Sequence, residues 1–103
     1  MSLDTLVKAV EQWAEDRQLI QNSTMQAQLV KLVEEMGELA AGVAKKNDEL
    51  IADSIGDCAV VLIILSRIHG HDLEQYLLGA YEEIRHRKGY LTPEGVFIKE
   101  EDI

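Results

Sequence analysis

The run Cys58 to Leu65, CAVVLIIL, is apolar on every side. It lies inside a helical pattern that begins near Glu49 and stops at His69, with Gly70 as the C-terminal stop. A helix that is apolar all round must be enclosed all round. In a chain of 103 residues, three partner helices barely enclose it, and association is a common remedy for so small a core. The expectation is therefore a homo-oligomer, a homodimer or a dimer of dimers, with this third helix at its centre. The alternative is a monomer whose central helix is well covered. With eight residues, the run is far short of the ~20 that a membrane helix needs.

The rest of the chain is equally compatible with helix, because the only proline is Pro93. Leu3 to about Arg17 places Leu3, Leu6, Val7, Val10, Trp13 and Ala14 on one stripe, with Trp13 read as core. The segment QNST breaks this helix, and Ser23 with Gln26 forms a capping box for a second helix from about Thr24 to Lys46. KND is a short turn into the third helix. Asp72 caps a fourth, which carries Leu73, Tyr76, Leu77, Ala80, Tyr81 and Ile84 and ends near Gly89. In the tail, residues 90–103, Thr92-Pro93-Glu94-Gly95 is a turn signal between short apolar runs, which predicts a small hairpin or an arm laid on a neighbour. The predicted architecture is all-α: one domain over 1–103, with a protomer of four-helix-bundle type.

Nineteen acids against ten bases give a net charge of −9, which argues against nucleic-acid binding, since that calls for a basic patch. A single cysteine, Cys58, permits no intrachain disulfide and reads as core in a reducing compartment. The N-terminus is amphipathic and acidic, unlike a signal or transit peptide, so a soluble, cytoplasmic protein without membrane partners is expected.

The second helix contains KLVEEMGELAAG, with Glu34, Glu35 and Glu38 within roughly 100° of arc. They flank an apolar stripe of Leu29, Leu32, Val33, Met36, Leu39, Ala40 and Val43. Like charges one turn apart cost a helix about 0.2–0.5 kcal/mol per pair. The third helix opens with Asp53 and Asp57, again one turn apart. Counting from Asn47, Glu38 lies nine residues back and Asp57 ten forward, so an antiparallel pair brings both clusters to one height. Carboxylates that converge at a partly buried point stay ionised together only around a cation. All-oxygen donors suit Mg²⁺, with Mn²⁺ the other possibility. The bland reading is a solvated acidic face on which Lys31 pairs with Glu35 at i,i+4.

KLVEEMGELA followed by DSIGDCAVVL resembles the MazG-like all-α nucleoside triphosphate pyrophosphohydrolases, whose pattern is E-E-x-x-E on one helix and E-x-x-D on the next. The first motif matches at Glu34, Glu35 and Glu38, and the second at Asp57. The acid expected three residues before Asp57 is Ser54 here, and Asp53 stands four before. The resemblance implies Mg²⁺-dependent hydrolysis of a nucleoside triphosphate between the α and β phosphates, yielding monophosphate and pyrophosphate, often in house-cleaning of (deoxy)nucleotides. On that reading Glu35, Glu38 and Asp57 hold the metal with Asp53 in support, while Glu34, or a carboxylate shared with it, activates water. Related forms act on dUTP or dCTP or on phosphoribosyl-ATP. A rival from another class is a non-enzymatic helical dimer that binds a protein partner.

A triphosphate also needs cationic donors. In AYEEIRHRKG, Tyr81, Arg85 and Lys88 share one helical face at i, i+4 and i+7, and Lys31 stands one turn before the carboxylates. Cations also favour a helix C-terminus for dipole reasons alone, so both readings of this segment stand.

Overall fold

The computed structural model describes residues 1–102. Among them are five α-helices: α1 (Leu3–Asp16), α2 (Leu19–Asn22), α3 (Met25–Lys45), α4 (Asp48–His69) and α5 (Leu73–Ile84). A two-stranded hairpin, β1 (Gly89–Leu91) and β2 (Phe97–Lys99), and one 3₁₀ turn follow. The all-α class read from the sequence is the observed one. The chain forms two compact units, Met1–Leu73 and the segment from Glu74 onward.

In the first unit α3 and α4 form an antiparallel hairpin, with α1 and α2 packed on α4. The connection is only Lys46 and Asn47. Lys46 takes a left-handed conformation (φ 54°), and the Asn47 N–H reaches back to the Gly42 carbonyl at 2.9 Å, which closes α3. Asn47 then caps α4, its side-chain oxygen accepting from the Leu50 N–H at 3.1 Å. Gly42 is buried where α3 and α4 come close together: a Cβ there would lie 3.1 Å from both Ile51 Cγ1 and Ile51 N. Ala14, Val61, Ile63 and Ile64 make the buried apolar core. Arg67 ties α1 to α4 through Glu15 (2.8 Å) and Glu11 (3.6 Å).

Several details depart from expectation. Thr24, not Ser23, caps α3, accepting from the Ala27 N–H at 3.0 Å, while the Ser23 hydroxyl accepts from Gln28 Nε2. The four-residue α2 was not foreseen, since one turn carries no periodicity; Gln18 enters it with φ 61°. Trp13 is not core: it is exposed, with the Arg17 guanidinium 4.4 Å above its ring.

The apolar stripe of α3 divides into two seams. Gln28, Leu32, Glu35, Leu39 and Gly42, spaced 4, 3, 4 and 3, are buried or half-buried. Leu29, Val33, Met36, Ala40 and Val43, one residue further on, are all exposed. On α4 the exposed set is Ala52, Ile55, Ala59 and Leu62. Each exposed stripe is turned about 100° from its helix's seam, in the sense that puts both on one side of the antiparallel hairpin. The acids occupy the other side.

In the second unit α5 starts directly after Asp72 and ends at Ile84 rather than near Gly89. A tight turn follows its end, with the Arg87 N–H donating to the Ile84 carbonyl at 2.9 Å. The hairpin pairs Gly89 with Lys99, Tyr90 with Ile98 and Leu91 with Phe97. The Gly95 N–H bonds the Thr92 carbonyl at 2.9 Å, and Gly95 carries φ 90°, so the predicted turn is the observed one.

Candidate metal centre

The local folding of the α3–α4 hairpin gathers the carboxylates. Relative to the Gly42–Ile51 contact, Glu38 lies about 6 Å and Glu35 about 10.5 Å along α3, at 1.5 Å per residue. Asp57 lies about 9 Å along α4, between them in height. Glu35, Glu38 and Asp57 accordingly present oxygens that all fall within 4.8 Å of one another. Glu35 is 6% exposed, whereas Glu38 and Asp57 are open to solvent. The group is thus a buried carboxylate at the base with two exposed ones at the rim.

The charge around it is only partly compensated. Lys31 Nζ stands 3.1 Å from Glu35 Oε1, and its pKa is raised above 10.5 by the hydrogen bond and charge of Glu35, with smaller help from Glu34 and Glu38. Glu35 Oε2, by contrast, is buried and has no hydrogen-bond partner. Among the described residues neither Glu38 nor Asp57 has an ion-pair partner. Elsewhere in the same unit Glu11 and Glu15 form an i,i+4 acidic pair, and there Arg67 faces both, bonding Glu15 at 2.8 Å and standing 3.6 Å from Glu11 Oε2, itself a buried oxygen without a hydrogen bond. Three carboxylates against one exposed lysine, with an orphaned buried oxygen among them, fit a divalent cation with oxygen donors. The donor set contains no sulfur or imidazole, which suits Mg²⁺ or Mn²⁺ rather than softer metals.

Of the predicted residues, Glu35, Glu38 and Asp57 are brought together and Asp53 is left outside the group. The reason is rotational. Asp57 lies about 120° around α4 from Ile51, and Asp53 about 160°, turned further from α3 and exposed. Glu34 is exposed and also outside the group. In the second unit Arg85 lies 5.9 Å over the Tyr81 ring and pairs with Glu82 at 3.3 Å. Because α5 ends at Ile84, Lys88 does not share a helical face with them, and its carbonyl accepts from the Glu100 N–H at 2.7 Å.

The burial of Glu35 and the orphaned Ser54 hydroxyl escaped the sequence reading. A signal for the first was present: Glu35 falls on the 4, 3, 4, 3 spacing of Gln28, Leu32, Leu39 and Gly42. Among the described residues no helix is long and apolar enough to cross a membrane.

A curated relative, an uncharacterized 18.2 kDa protein in the rep-hol intergenic region of Haemophilus phage HP1 (strain HP1c1), is 57% identical over 65 residues. That match covers 63% of this chain but 40% of the phage protein, so the chain matches less than half of its relative's length. No solved structure matches. The family model of the MazG nucleotide pyrophosphohydrolase domain matches residues 23–92, a span holding both carboxylate-bearing helices, and the chain belongs to that family.

Proposed function

We propose that this protein is a Mg²⁺-dependent pyrophosphohydrolase, with Mn²⁺ as an alternative metal, that splits (deoxy)nucleoside triphosphates into the monophosphate and pyrophosphate. Clearing unwanted nucleotides is the corresponding role, and the cytoplasm the corresponding compartment. The observation that carries the reading is the Glu35–Glu38–Asp57 group with its orphaned Glu35 oxygen, in a chain of this family.

Glu35, Glu38 and Asp57 would hold the ion. Bound there, it supplies Lewis-acid neutralisation of phosphate oxygens. Glu34, one residue from Glu35, open to solvent and outside the ligand set, is suited to orient a water and take its proton. Lys31, Tyr81, Arg85 and Lys88 are the proposed substrate contacts; Lys31 is poised to exchange Glu35 for a phosphate oxygen.

The working form we propose is a homodimer or dimer of dimers, built on the apolar side of the α3–α4 hairpin. That side carries Leu29, Val33, Met36, Val43, Ile55 and Leu62 exposed and without charge, so it is compatible with a second copy of itself. Six half-exposed side chains at on the order of 100 Å² each offer about 600 Å², which makes up most of the ~800 Å² per partner of a standard interface.

The test is a panel of ribo- and deoxyribonucleoside triphosphates with Mg²⁺, assayed for monophosphate and pyrophosphate. Equimolar release of the two from any member supports the proposal. Turnover of only dUTP or dCTP, or of phosphoribosyl-ATP alone, would assign a narrower form of the chemistry. Absence of turnover throughout would leave the helical dimer as a binding protein.

A further inference from the structure

We infer that the Ser54 hydroxyl, not the Asp53 carboxylate, completes the carboxylate site, by holding a metal-bound water. Two serines of α4 are buried, and they behave differently. Ser66 Oγ donates to the Leu62 carbonyl one turn back at 2.8 Å, the usual way a helical serine satisfies itself. Ser54 is 0% exposed, and its Oγ has no hydrogen-bond partner. A buried hydroxyl left unpaired is costly, so one that persists calls for an explanation such as a water or an ion.

Its place supplies the explanation. Ile51 and Leu50 both approach Gly42, which fixes the side of α4 that faces α3. Ser54 lies on that side, about 60° around the helix from Ile51 and about 60° from Asp57, one turn from each. Its height along the hairpin, about 4.5 Å from the Gly42–Ile51 contact, is within about 1.5 Å of that of Glu38. The hairpin's two orphaned buried side-chain oxygens, Glu35 Oε2 and Ser54 Oγ, lie on facing seams, and the heights of Glu38 and Asp57 fall between theirs. A hydroxyl is neutral and can both donate and accept, so it suits a water on the ion better than direct replacement of a carboxylate. The consequence is a site with three anionic ligands, in which the fourth position orients water rather than adding charge.

This inference rests on the metal reading of Glu35, Glu38 and Asp57, and its test separates the two. Mn²⁺ binding to the full chain, without nucleotide, is followed by electron paramagnetic resonance for the unmodified protein, Ser54→Ala and Asp53→Asn. Loss of a group that orients a metal ligand costs about 10–100-fold in affinity. Ser54→Ala should therefore weaken Mn²⁺ binding at least about tenfold, with Asp53→Asn within about twofold of the unmodified protein. In chelator Ser54→Ala should melt no lower than the unmodified protein, because the orphaned hydroxyl is gone; a merely structural serine would not lower metal affinity while leaving that stability intact. Equal Mn²⁺ affinity for Ser54→Ala and the unmodified protein overturns the inference alone. A larger loss in Asp53→Asn than in Ser54→Ala also overturns it. Absence of Mn²⁺ binding by the unmodified protein overturns the metal reading and this inference together.

Discussion

Replacing Glu38 by Gln should stabilise the metal-free protein and abolish its response to Mg²⁺. The carboxylate oxygens of Glu35, Glu38 and Asp57 lie within 4.8 Å of one another, and Glu38 takes part in two of the three pairs. At that separation two unit charges repel by about 0.9 kcal/mol at the dielectric of water and by about 3.5 kcal/mol at an effective value near 20. Because the rim carboxylates are exposed, the water figure is the appropriate floor, and two pairs give about 1.7 kcal/mol. A Debye length of about 8 Å at physiological salt brings this to about 1 kcal/mol. Glutamine preserves the shape and is a comparable helix former. For a domain of this size, 1 kcal/mol moves Tm by about 4–8 °C. Differential scanning calorimetry in chelator should show Glu38→Gln melting higher by about that amount, and the gain should shrink in molar salt. Added Mg²⁺ should raise the melting temperature of the unmodified protein and leave the variant nearly unmoved, since only a bound ion stabilises the native state, by about 2.7 kcal/mol at a hundredfold excess over Kd. A variant that melts lower in chelator would show that Glu38 serves a structural ion pair, and the repulsion reasoning would fail.

Gly42→Ala should destabilise the protein by about 1–3 kcal/mol in urea unfolding, because the new Cβ meets Ile51 at 3.1 Å; the gain of up to about 1 kcal/mol usual for this change in a helix would contradict the close approach. Val33→Asp or Leu62→Asp should yield a folded protein of lower association state by sedimentation velocity. Ile64→Asp, at a position only 3% exposed, should fail to fold, and a monomeric unmodified protein at high concentration would end the dimer proposal. Lys31→Met should lower stability in chelator and tighten Mn²⁺ binding without nucleotide, since it removes a cation 3.1 Å from Glu35. The raised pKa of Lys31 means its pairing is fully present below 10.5 and fades as pH rises through the higher folded value, so the difference between the two proteins should be flat around neutrality and decline only in strong alkali.

What was legible in the sequence followed from periodicity and short range. The antiparallel placement of α3 and α4 was legible because KND leaves no room for anything but a tight turn, and the matched heights of Glu38 and Asp57 followed from counting outward from it. The Thr92–Gly95 turn was legible for the same local reason. Rotation about the helix axis was less so. The seven apolar positions of α3 read as one core stripe, whereas they form two seams about 100° apart, one facing α4 and one exposed. A stripe tells that a face is apolar, not which partner covers it. The same ambiguity made Asp53 look equivalent to Asp57: they are one turn apart, but the further 40° turns Asp53 away from α3. Val61 and Ile64, which the sequence placed at an oligomer centre, are buried within the protomer, and Ile55 and Leu62 of the same helix remain uncovered. The Arg67–Glu15 pair joins residues 52 apart in sequence, and no local pattern announces it.

The most direct test follows a nucleoside triphosphate by phosphorus NMR with the unmodified protein and with Asp57→Asn, each in Mg²⁺ and in chelator. Removing one of three ligands from the ion should cost several kcal/mol of transition-state stabilisation, at least about a hundredfold in rate. The predicted result is the paired appearance of monophosphate and pyrophosphate signals for the unmodified protein in Mg²⁺ alone. Undiminished hydrolysis in chelator, or by Asp57→Asn in Mg²⁺, would contradict the account.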